Sequence, residues 1–284
     1  MPPIAYLNGQ FLPIEQALVS IEDRGFQFGD GVYEVIRVYQ DQPYWVDEHL
    51  HRLVRSAEAV SIPMTLGLDE WRRVIREGIE RSQLKESKVY IQVTRGVAPR
   101  EHTFPSSSLP TTVMTVREMF PIDDVLREGG VSVITLPDLR WGRCSIKSLN
   151  LLPNLLAKQE AKEQGAFEAI LIKDGVVTEG TSSNVMMASH DVLVTPALND
   201  QLLAGVTRQQ LLALASHAGI QVAERPVKHN ELNEAEEVFL AGTTIEVIGV
   251  TMIDGNPVGS GRVGPITRRI QSMFLDAVAQ GRSL

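Results

Sequence analysis

Residues 141–150 read Trp141-Gly-Arg-Cys-Ser-Ile-Lys147-Ser-Leu-Asn150. No other charged residue lies between Cys144 and Ala157, so the Lys147 ammonium is predicted to be partly desolvated. Desolvation disfavours the charged form of an amine, and a neutral amine can attack a carbonyl to form a Schiff base. The alternative, from this segment alone, is a half-buried lysine whose amine reaches the surface.

A second segment carries a carboxylate among small polar residues: Val176-Val-Thr-Glu179-Gly-Thr-Ser-Ser-Asn184. A carboxylate beside a heterocyclic nitrogen would keep that nitrogen protonated, because the ion pair favours the charged ring. A protonated ring can then accept the electrons of a carbanion. The alternative interpretation of Glu179 is a solvated glutamate in a turn.

Composition limits the classes of function. The 284 residues fit one large domain or two medium ones, and the net charge of −8 argues against general affinity for nucleic acid or anionic membranes. The single cysteine, Cys144, excludes an intramolecular disulfide and zinc sites of the CxxC type. No stretch approaches the roughly 18 apolar residues of a membrane span, and no secretory signal is recognisable at the N-terminus. A cytoplasmic location without membrane association is therefore expected.

Hydrophobic spacing predicts helices and strands in both halves of the chain. The expected helices span 47–60, with Asp47 as the cap, then 68–81, 153–164 and 205–218, with a last one from about 263. Strands are expected at 32–39, 88–95, 111–116, 130–136, 167–172, 184–187, 192–195 and 238–244. Helices and strands do not alternate strictly, and no GxGxxG follows a strand, so the order predicts an α+β fold without a nicotinamide site. The proline-containing segment 120–124 predicts a boundary between domains 1–120 and 121–284.

Two segments have the features of phosphate sites. Gly205-Val206-Thr207-Arg208 opens a predicted helix with Thr207 at the cap, where free N–H groups and the helix dipole favour an anion. Gly242-Thr243-Thr244 ends a predicted strand and offers main-chain and hydroxyl donors. An ordinary helix cap and an ordinary turn are the alternatives.

Three basic residues are further candidates. Arg52 falls one position from the apolar stripe of the first helix, so it can point inward to a phosphate or pair on the helix surface. Arg100 and His102 stand two apart in the loop 96–110. In an extended chain they face the same way and can meet one carboxylate together, while Glu101 points elsewhere. A solvated loop is the alternative.

Taken in order along the chain, these segments resemble fold type IV pyridoxal 5'-phosphate (PLP) aminotransferases, most of all the D-amino acid (D-alanine) aminotransferases of bacteria. The Lys147 and Glu179 segments are typical of the fold type, and the Arg100-x-His102 loop is typical of the D-amino acid branch. The matching segments are Glu22-Asp-Arg-Gly-Phe-Gln-Phe-Gly-Asp-Gly-Val-Tyr-Glu34, Glu48-His-Leu-His-Arg-Leu53, Gln92-Val-Thr-Arg-Gly-Val-Ala-Pro-Arg-Glu-His102, Arg140-Trp-Gly-Arg-Cys-Ser-Ile-Lys-Ser-Leu-Asn-Leu-Leu152, Ala157-Lys-Gln-Glu-Ala161, Thr178-Glu-Gly-Thr-Ser-Ser-Asn184 and Gly205-Val-Thr-Arg208.

The resemblance implies a role for each candidate. Lys147 would carry PLP as an internal aldimine, and Glu179 would pair with the pyridine nitrogen. The phosphate would be bound by Arg52, Val206, Thr207, Gly242 and Thr243, with Leu203 packed on the ring and Tyr33, Arg100 and His102 binding the substrate. The relatives carry a serine hydroxyl where this chain has Gly242, so a phosphate hydrogen bond there would either be lost or be made by the main chain.

The implied fold is a two-domain α+β aminotransferase with a small N-terminal domain and a larger PLP-binding domain, the active site lying between them. The implied reaction is ping-pong transamination between a D-amino acid such as D-alanine and a 2-oxo acid such as 2-oxoglutarate. The implied assembly is a homodimer in which the Arg100 loop reaches in from the partner subunit. The alternatives are a branched-chain L-amino acid aminotransferase, an aminodeoxychorismate lyase, an (R)-amine transaminase and a non-catalytic PLP-binding protein.

Overall fold

The computed structural model describes residues 4–281. The chain divides into two compact units: the first runs up to Pro121 and also includes Ile146–Asn150, and the second comprises Ile122–Ser145 and the chain from Leu151 onward. The Lys147 segment is thus part of the first unit, although it lies well past the predicted boundary at residue 120.

The first unit is built on an antiparallel sheet. Its elements are β1 (Ile4–Leu7), β2 (Gln10–Pro13), α1 (Arg24–Phe28), β3 (Gly31–Tyr39), β4 (Gln42–Pro43), α2 (Val46–Ala59), α3 (Leu68–Ser82), β5 (Ser87–Thr94) and β6 (Thr111–Glu118). Among the described residues, its six strands pair in the order β2-β1-β6-β5-β3-β4, each neighbouring pair antiparallel. A tight turn at Asn8-Gly9 connects β1 and β2.

Helices α2 and α3 bury their apolar faces against this sheet. Leu50, Leu53 and Ala57 repeat at helical spacing on α2 and are fully buried, and Trp71 on α3 joins the same core cluster. Burying a large aliphatic side chain contributes roughly 1.5–3 kcal/mol, so these contacts hold the helices on the sheet. Asp47 does not cap α2 as predicted, because the helix already begins at Val46 and Asp47 lies in its first turn.

The second unit is built on a mixed sheet. Its elements are α4 (Asp124–Gly129), β7 (Val131–Pro137), α5 (Leu152–Glu163), β8 (Glu168–Lys173), β9 (Val176–Gly180), β10 (Asn184–Ser189), β11 (Val192–Thr195), α6 (Val206–His217), β12 (Gln221–Glu224), α7 (His229–Glu234), β13 (Glu237–Gly242), β14 (Glu246–Ile253), β15 (Asn256–Pro257) and α8 (Pro265–Ala279). Within the described residues the strand order is β12-β11-β10-β13-β14-β7-β8-β9, with β15 beside β14. The pairs β11–β12, β14–β7 and β7–β8 are parallel.

Both faces of the central strands in this sheet are covered. Val238, Phe239 and Leu240 are consecutive in β13 and all buried, which requires packing above and below the sheet. Helices α6 and α8 pack on β13, and the apolar cluster around Leu240 includes Val185 and Ile248. Helices thus pack on an antiparallel sheet in the first unit and on a mixed sheet in the second, without strict strand–helix alternation, which confirms the predicted α+β class. Within residues 4–281, no helix has the length and apolar character needed to cross a bilayer.

Candidate active site

Lys147 lies against β3 of the first unit. Its carbonyl accepts a hydrogen bond from the Tyr33 N–H at 3.0 Å, and its own N–H donates to Ser56 Oγ at 3.2 Å. Ser148 forms an isolated bridge with Val32. The main chain is therefore fixed, and the half-buried Lys147 Nζ stands 4.4 Å from the centre of the Tyr33 ring. The structure thus places Lys147 and Tyr33, two of the predicted site residues, next to each other.

Arg52 is oriented by a buried carboxylate on β3. Arg52 Nε and Nη2 donate to Glu34 Oε1 and Oε2 at 2.6 and 2.9 Å, and His49 Nδ1 lies 2.8 Å from the same Oε2. Burial would raise the pKa of Glu34, but the charge of Arg52 and the contact with His49 outweigh it and hold that pKa well below its usual range. Burial lowers the pKa of His49 in spite of Glu34.

Arg52 was predicted from sequence, whereas its partners Glu34 and His49 were missed. The available signal was strand alternation, because Glu34 shares the inward face of β3 with Val32 and Ile36. A carboxylate on a buried face requires a charged or hydrogen-bonding partner. The phosphate-binding role of Arg52 stays a prediction, and what the structure adds is the residue that orients it.

Arg100 and His102 lie in the loop between β5 and β6, and both contact Phe28. Arg100 Cζ is 4.8 Å from the centre of the Phe28 ring, and the His102 ring centre is 5.8 Å from it. The two side chains are exposed and reach the same aromatic ring. The chain is not extended here as predicted, because the Glu101 N–H donates to the Pro99 carbonyl at 2.8 Å and the main chain bends. Phe28, at the end of α1, was missed because nothing in the Gly-rich segment 23–31 distinguishes it from Phe26.

Glu179 lies at the end of β9 in the second unit and is only 7% exposed. Its Oε2 accepts hydrogen bonds from the Leu203 N–H at 3.1 Å and from Asn184 Nδ2 at 3.3 Å, and its Oε1 pairs with Arg140 Nη1. Asn184 Nδ2 also donates to the Leu203 carbonyl at 3.0 Å. These contacts hold the carboxylate in one orientation, so Glu179 is not a solvated turn residue.

Arg140 connects Glu179 to a second carboxylate. Its Nε and Nη2 donate to Asp138 Oδ1 and Oδ2 at 2.9 and 2.7 Å, and Nη2 also donates to the Gln201 carbonyl at 2.9 Å. Burial would lower the pKa of Arg140, but Asp138 and Glu179 outweigh it and raise that pKa above its ordinary value. Burial would raise the pKa of Asp138, which the bonds from Arg140 lower instead. Arg140 belongs to a segment recognised from the sequence, but it had no predicted role.

The first predicted phosphate segment is the N-terminus of α6. The helix begins at Val206, and its cap is Gly205, which has extended backbone angles (φ −64°, ψ 132°) and no side-chain cap. Thr207 therefore lies in the first turn instead of at the cap, contrary to the prediction. A Cβ at Gly205 would come within 2.0 Å of Asn184 Oδ1, so any other residue at this position would displace the Asn184 side chain.

The second predicted phosphate segment begins at Gly242, the last residue of β13, and continues into the turn that follows this strand. Asn184 pairs with Ala241 across β10 and β13, which places Gly242 next to the start of β10. A Cβ at Gly242 would lie 3.4 Å or more from its neighbours, so this position has room for a side chain. Asn184 thus lies beside four of the segments discussed above, those of Glu179, Leu203, Gly205 and Gly242. The sequence analysis gave it no role.

PLP has three polar groups that a protein must bind, namely its phosphate, its ring nitrogen and its aldehyde, and each has a suitable partner among the residues described above. The main-chain N–H groups of the first turn of α6, with no side-chain cap, suit a phosphate. The buried and fixed carboxylate of Glu179 suits a protonated ring nitrogen, and the half-buried amine of Lys147 suits an aldehyde. The donor set therefore agrees with the cofactor that the sequence resemblance implies.

The sequence of this chain is similar to those of known aminotransferases. A model described as amino-transferase class IV matches residues 31–253. The D-alanine aminotransferase of Bacillus licheniformis is 44% identical over 273 residues, which cover 95% of each chain. That of Staphylococcus haemolyticus is 40% identical over 271 residues, again 95% of each chain.

Solved structures of related enzymes have a closely similar fold. The branched-chain amino acid aminotransferase of Escherichia coli has a TM-score of 0.91 at 27% identity, covering 97% of this chain and 94% of its own. The branched-chain amino acid aminotransferase of T.th., solved with pyridoxamine 5'-phosphate, has a TM-score of 0.92 at 26% identity, covering 99% and 96%. The chain therefore belongs to the class IV aminotransferase family.

Proposed function

We propose that this chain is a PLP-dependent aminotransferase that exchanges the amino group of a D-amino acid, such as D-alanine, with a 2-oxo acid, such as 2-oxoglutarate. The observation that carries the proposal is the 44% identity to a D-alanine aminotransferase over 95% of both chains. The branched-chain amino acid aminotransferase of E. coli shares the fold at only 27% identity. A shared fold does not fix the substrate, so the closer sequence relationship favours D-amino acids over branched-chain L-amino acids.

The cofactor proposal agrees with the T.th. enzyme structure that contains pyridoxamine 5'-phosphate. Bound PLP supplies an electron sink for the charge that develops at the substrate Cα. Lys147 would hold the cofactor aldehyde through its amine and, once displaced by the substrate amine, carry the Cα proton as base and then as acid. Glu179, oriented by Arg140 and the Leu203 N–H, would keep the ring nitrogen protonated.

The remaining predicted residues divide between phosphate and substrate. Arg52, oriented by Glu34, would bind the phosphate together with the segments Val206-Thr207 and Gly242-Thr243, and Leu203 would pack on the ring. A guanidinium binds a carboxylate through two parallel hydrogen bonds, so Arg100, with His102, would bind the substrate α-carboxylate beside Tyr33.

The direct test is an assay of the purified protein with PLP, 2-oxoglutarate and either D-alanine or L-leucine. We expect turnover of D-alanine, giving pyruvate and D-glutamate, and at least about tenfold lower kcat/KM for L-leucine, a difference of about 1.4 kcal/mol in transition-state binding. Chiral chromatography of the glutamate identifies its enantiomer. Preferential turnover of L-leucine with formation of L-glutamate would assign the chain to the branched-chain alternative.

We further propose that the chain works as a homodimer. The α5 side chains of Leu152, Leu155 and Leu156 are between 62% and 67% exposed, and a contiguous apolar patch of this kind favours association with a partner surface. We expect sedimentation equilibrium to give twice the chain mass, and a monomer at micromolar concentration would contradict the assignment. The cytoplasmic location stays a prediction from sequence.

A further inference from the structure

Arg24, at the start of α1, is 3% exposed, yet its guanidinium reaches the exposed loop that carries Arg100 and His102. Arg24 Nη1 donates to the Glu101 carbonyl at 2.6 Å and, more weakly, to the Thr103 carbonyl at 3.4 Å. These two residues flank His102 directly. The guanidinium is rigid and planar, so donation to two carbonyls of one loop restricts the path of its main chain.

Asp30 holds Arg24 in this position. Arg24 Nε donates to Asp30 Oδ2 at 2.8 Å, and Arg95 Nε and Nη2 donate to the same carboxylate at 2.8 and 3.0 Å. Arg95 in turn donates to the carbonyls of Val60 and Ser61, just after α2, at 2.7 and 2.8 Å. Burial would raise the pKa of Asp30, but the two guanidinium groups lower it. A continuous set of charged hydrogen bonds thus connects the end of α2 to the loop.

The base of the loop is closed independently of the Arg24 side chain. Gly96 has φ +96°, and a Cβ there would lie 2.0 Å from the Leu109 carbonyl oxygen, so glycine is required where the two ends of the loop meet. Ser108 Oγ donates to the Arg95 carbonyl at 2.7 Å. Since the base is fixed in this way, the Arg24 contacts act on the middle of the loop, where Arg100 and His102 lie.

We propose that Arg24 is a positioning residue for substrate binding: it holds the loop main chain on both sides of His102 and thereby sets the direction of the Arg100 and His102 side chains. The inference rests on the proposed function, in which these two side chains bind the substrate α-carboxylate. Arg24 and the loop belong to the same chain, so the positioning applies whichever subunit supplies the cofactor.

The expected effect is mainly on KM. Two-point recognition of a carboxylate requires side chains placed to within about 0.5 Å, and a loosened loop loses that placement. The carboxylate contacts are the same in the bound substrate and in the transition state, so weakening them raises KM with little change in kcat. We expect Arg24→Met and Arg24→Lys to raise KM for D-alanine by about tenfold and to keep kcat within about twofold.

Arg37 provides a matched control in the same unit. It is 2% exposed, donates to the carbonyls of Ser87 and Met119 at 2.9 Å, and pairs with Glu86 at 2.6 Å. It thus has the same kinds of partner as Arg24, at the opposite end of β3 and β5. We expect Arg37→Met to lower the unfolding temperature as Arg24→Met does, while the KM for D-alanine stays at the native value.

The experiment compares PLP-loaded native protein with these variants and with Arg100→Ala, using D-alanine and 2-oxoglutarate, and adds hydrogen–deuterium exchange of peptides covering 99–109. Faster exchange there is expected for both Arg24 variants and not for Arg37→Met. Arg24→Lys keeps the charge opposite Asp30 but lacks the guanidinium fork, so it decides the question if Arg24→Met does not fold.

The outcomes distinguish failure of the positioning role from failure of the carboxylate site. If Arg100→Ala raises KM while both Arg24 variants leave KM and loop exchange unchanged, the positioning role is overturned and the carboxylate site stands. If Arg100→Ala itself leaves KM unchanged, the carboxylate site fails, and the role of Arg24 fails with it. An equal rise of KM in Arg37→Met would assign the effect to general loss of stability and overturn the proposal.

Discussion

Lys147→Ala is expected to lower the turnover of D-alanine with 2-oxoglutarate by roughly 10³- to 10⁴-fold, since a single amine would both hold the cofactor and transfer the Cα proton. The fold should persist in this variant. The contacts of Lys147 with Tyr33 N–H and Ser56 Oγ are made by its main chain, and alanine keeps them. Steady-state kinetics gives the turnover, and fluorescence titration with PLP shows whether weak cofactor binding remains.

Lys85→Ala is the control for this experiment. Lys85 is an exposed lysine of the first unit, and its main-chain carbonyl accepts a hydrogen bond from the Asp41 N–H at 2.8 Å. Its replacement should leave both turnover and PLP affinity at native values. Turnover near the native level in Lys147→Ala would remove Lys147 from the chemistry.

Glu179→Gln is expected to lower kcat by about 10²-fold or more, which is the scale on which loss of one preorganised electrostatic contact slows an enzyme. Glutamine has the same shape and can still accept from the Leu203 N–H. It has no negative charge to keep a ring nitrogen protonated, and it leaves Arg140 with Asp138 as its carboxylate partner. The measurement is kcat for D-alanine at saturating PLP, together with the unfolding temperature.

Glu237→Gln is the control for Glu179→Gln. It shows whether replacing any buried carboxylate lowers kcat, or only the replacement of Glu179. Glu237 is as buried as Glu179, at 7% exposed, and accepts hydrogen bonds from the N–H groups of Ile266 and Thr267 at 2.9 and 2.7 Å in the first turn of α8. Its replacement should cost about 1 kcal/mol of stability and leave kcat unchanged. Equal loss of kcat in the two variants would contradict a specific role for Glu179.

Most of the secondary structure could be predicted because its signals are local. Helix α6 spans Val206–His217 where apolar spacing predicted 205–218, and α3 spans Leu68–Ser82 where it predicted 68–81. Helix α1 was not predicted, because Gly25 and Gly29 disfavour a helix. It forms because Asp23 Oδ1 caps the Gly25 N–H at 2.8 Å and because Arg24 is anchored by Asp30.

The candidate site could be predicted only in part. Neither the Lys147 segment nor the Glu179 segment was decisive alone, and both residues were identified because the order of the segments along the chain indicated the family. Asn184 and Arg140 stand in those segments, but a sequence does not show that both contact Glu179. Their roles depend on how β9, β10 and the chain after β7 come together.

The sequence by itself determined the family, the lysine and carboxylate expected to act on the cofactor, and most helices and strands, because these depend on residue type and short spacing. Tertiary structure decided which charged groups meet. Arg24 and Glu101 are 77 positions apart, and Glu34 and Arg52 lie on different elements, a strand and the helix that covers it. Such pairs form only after sheet register and helix packing have placed the chain, and burial then makes each charge dependent on its partner.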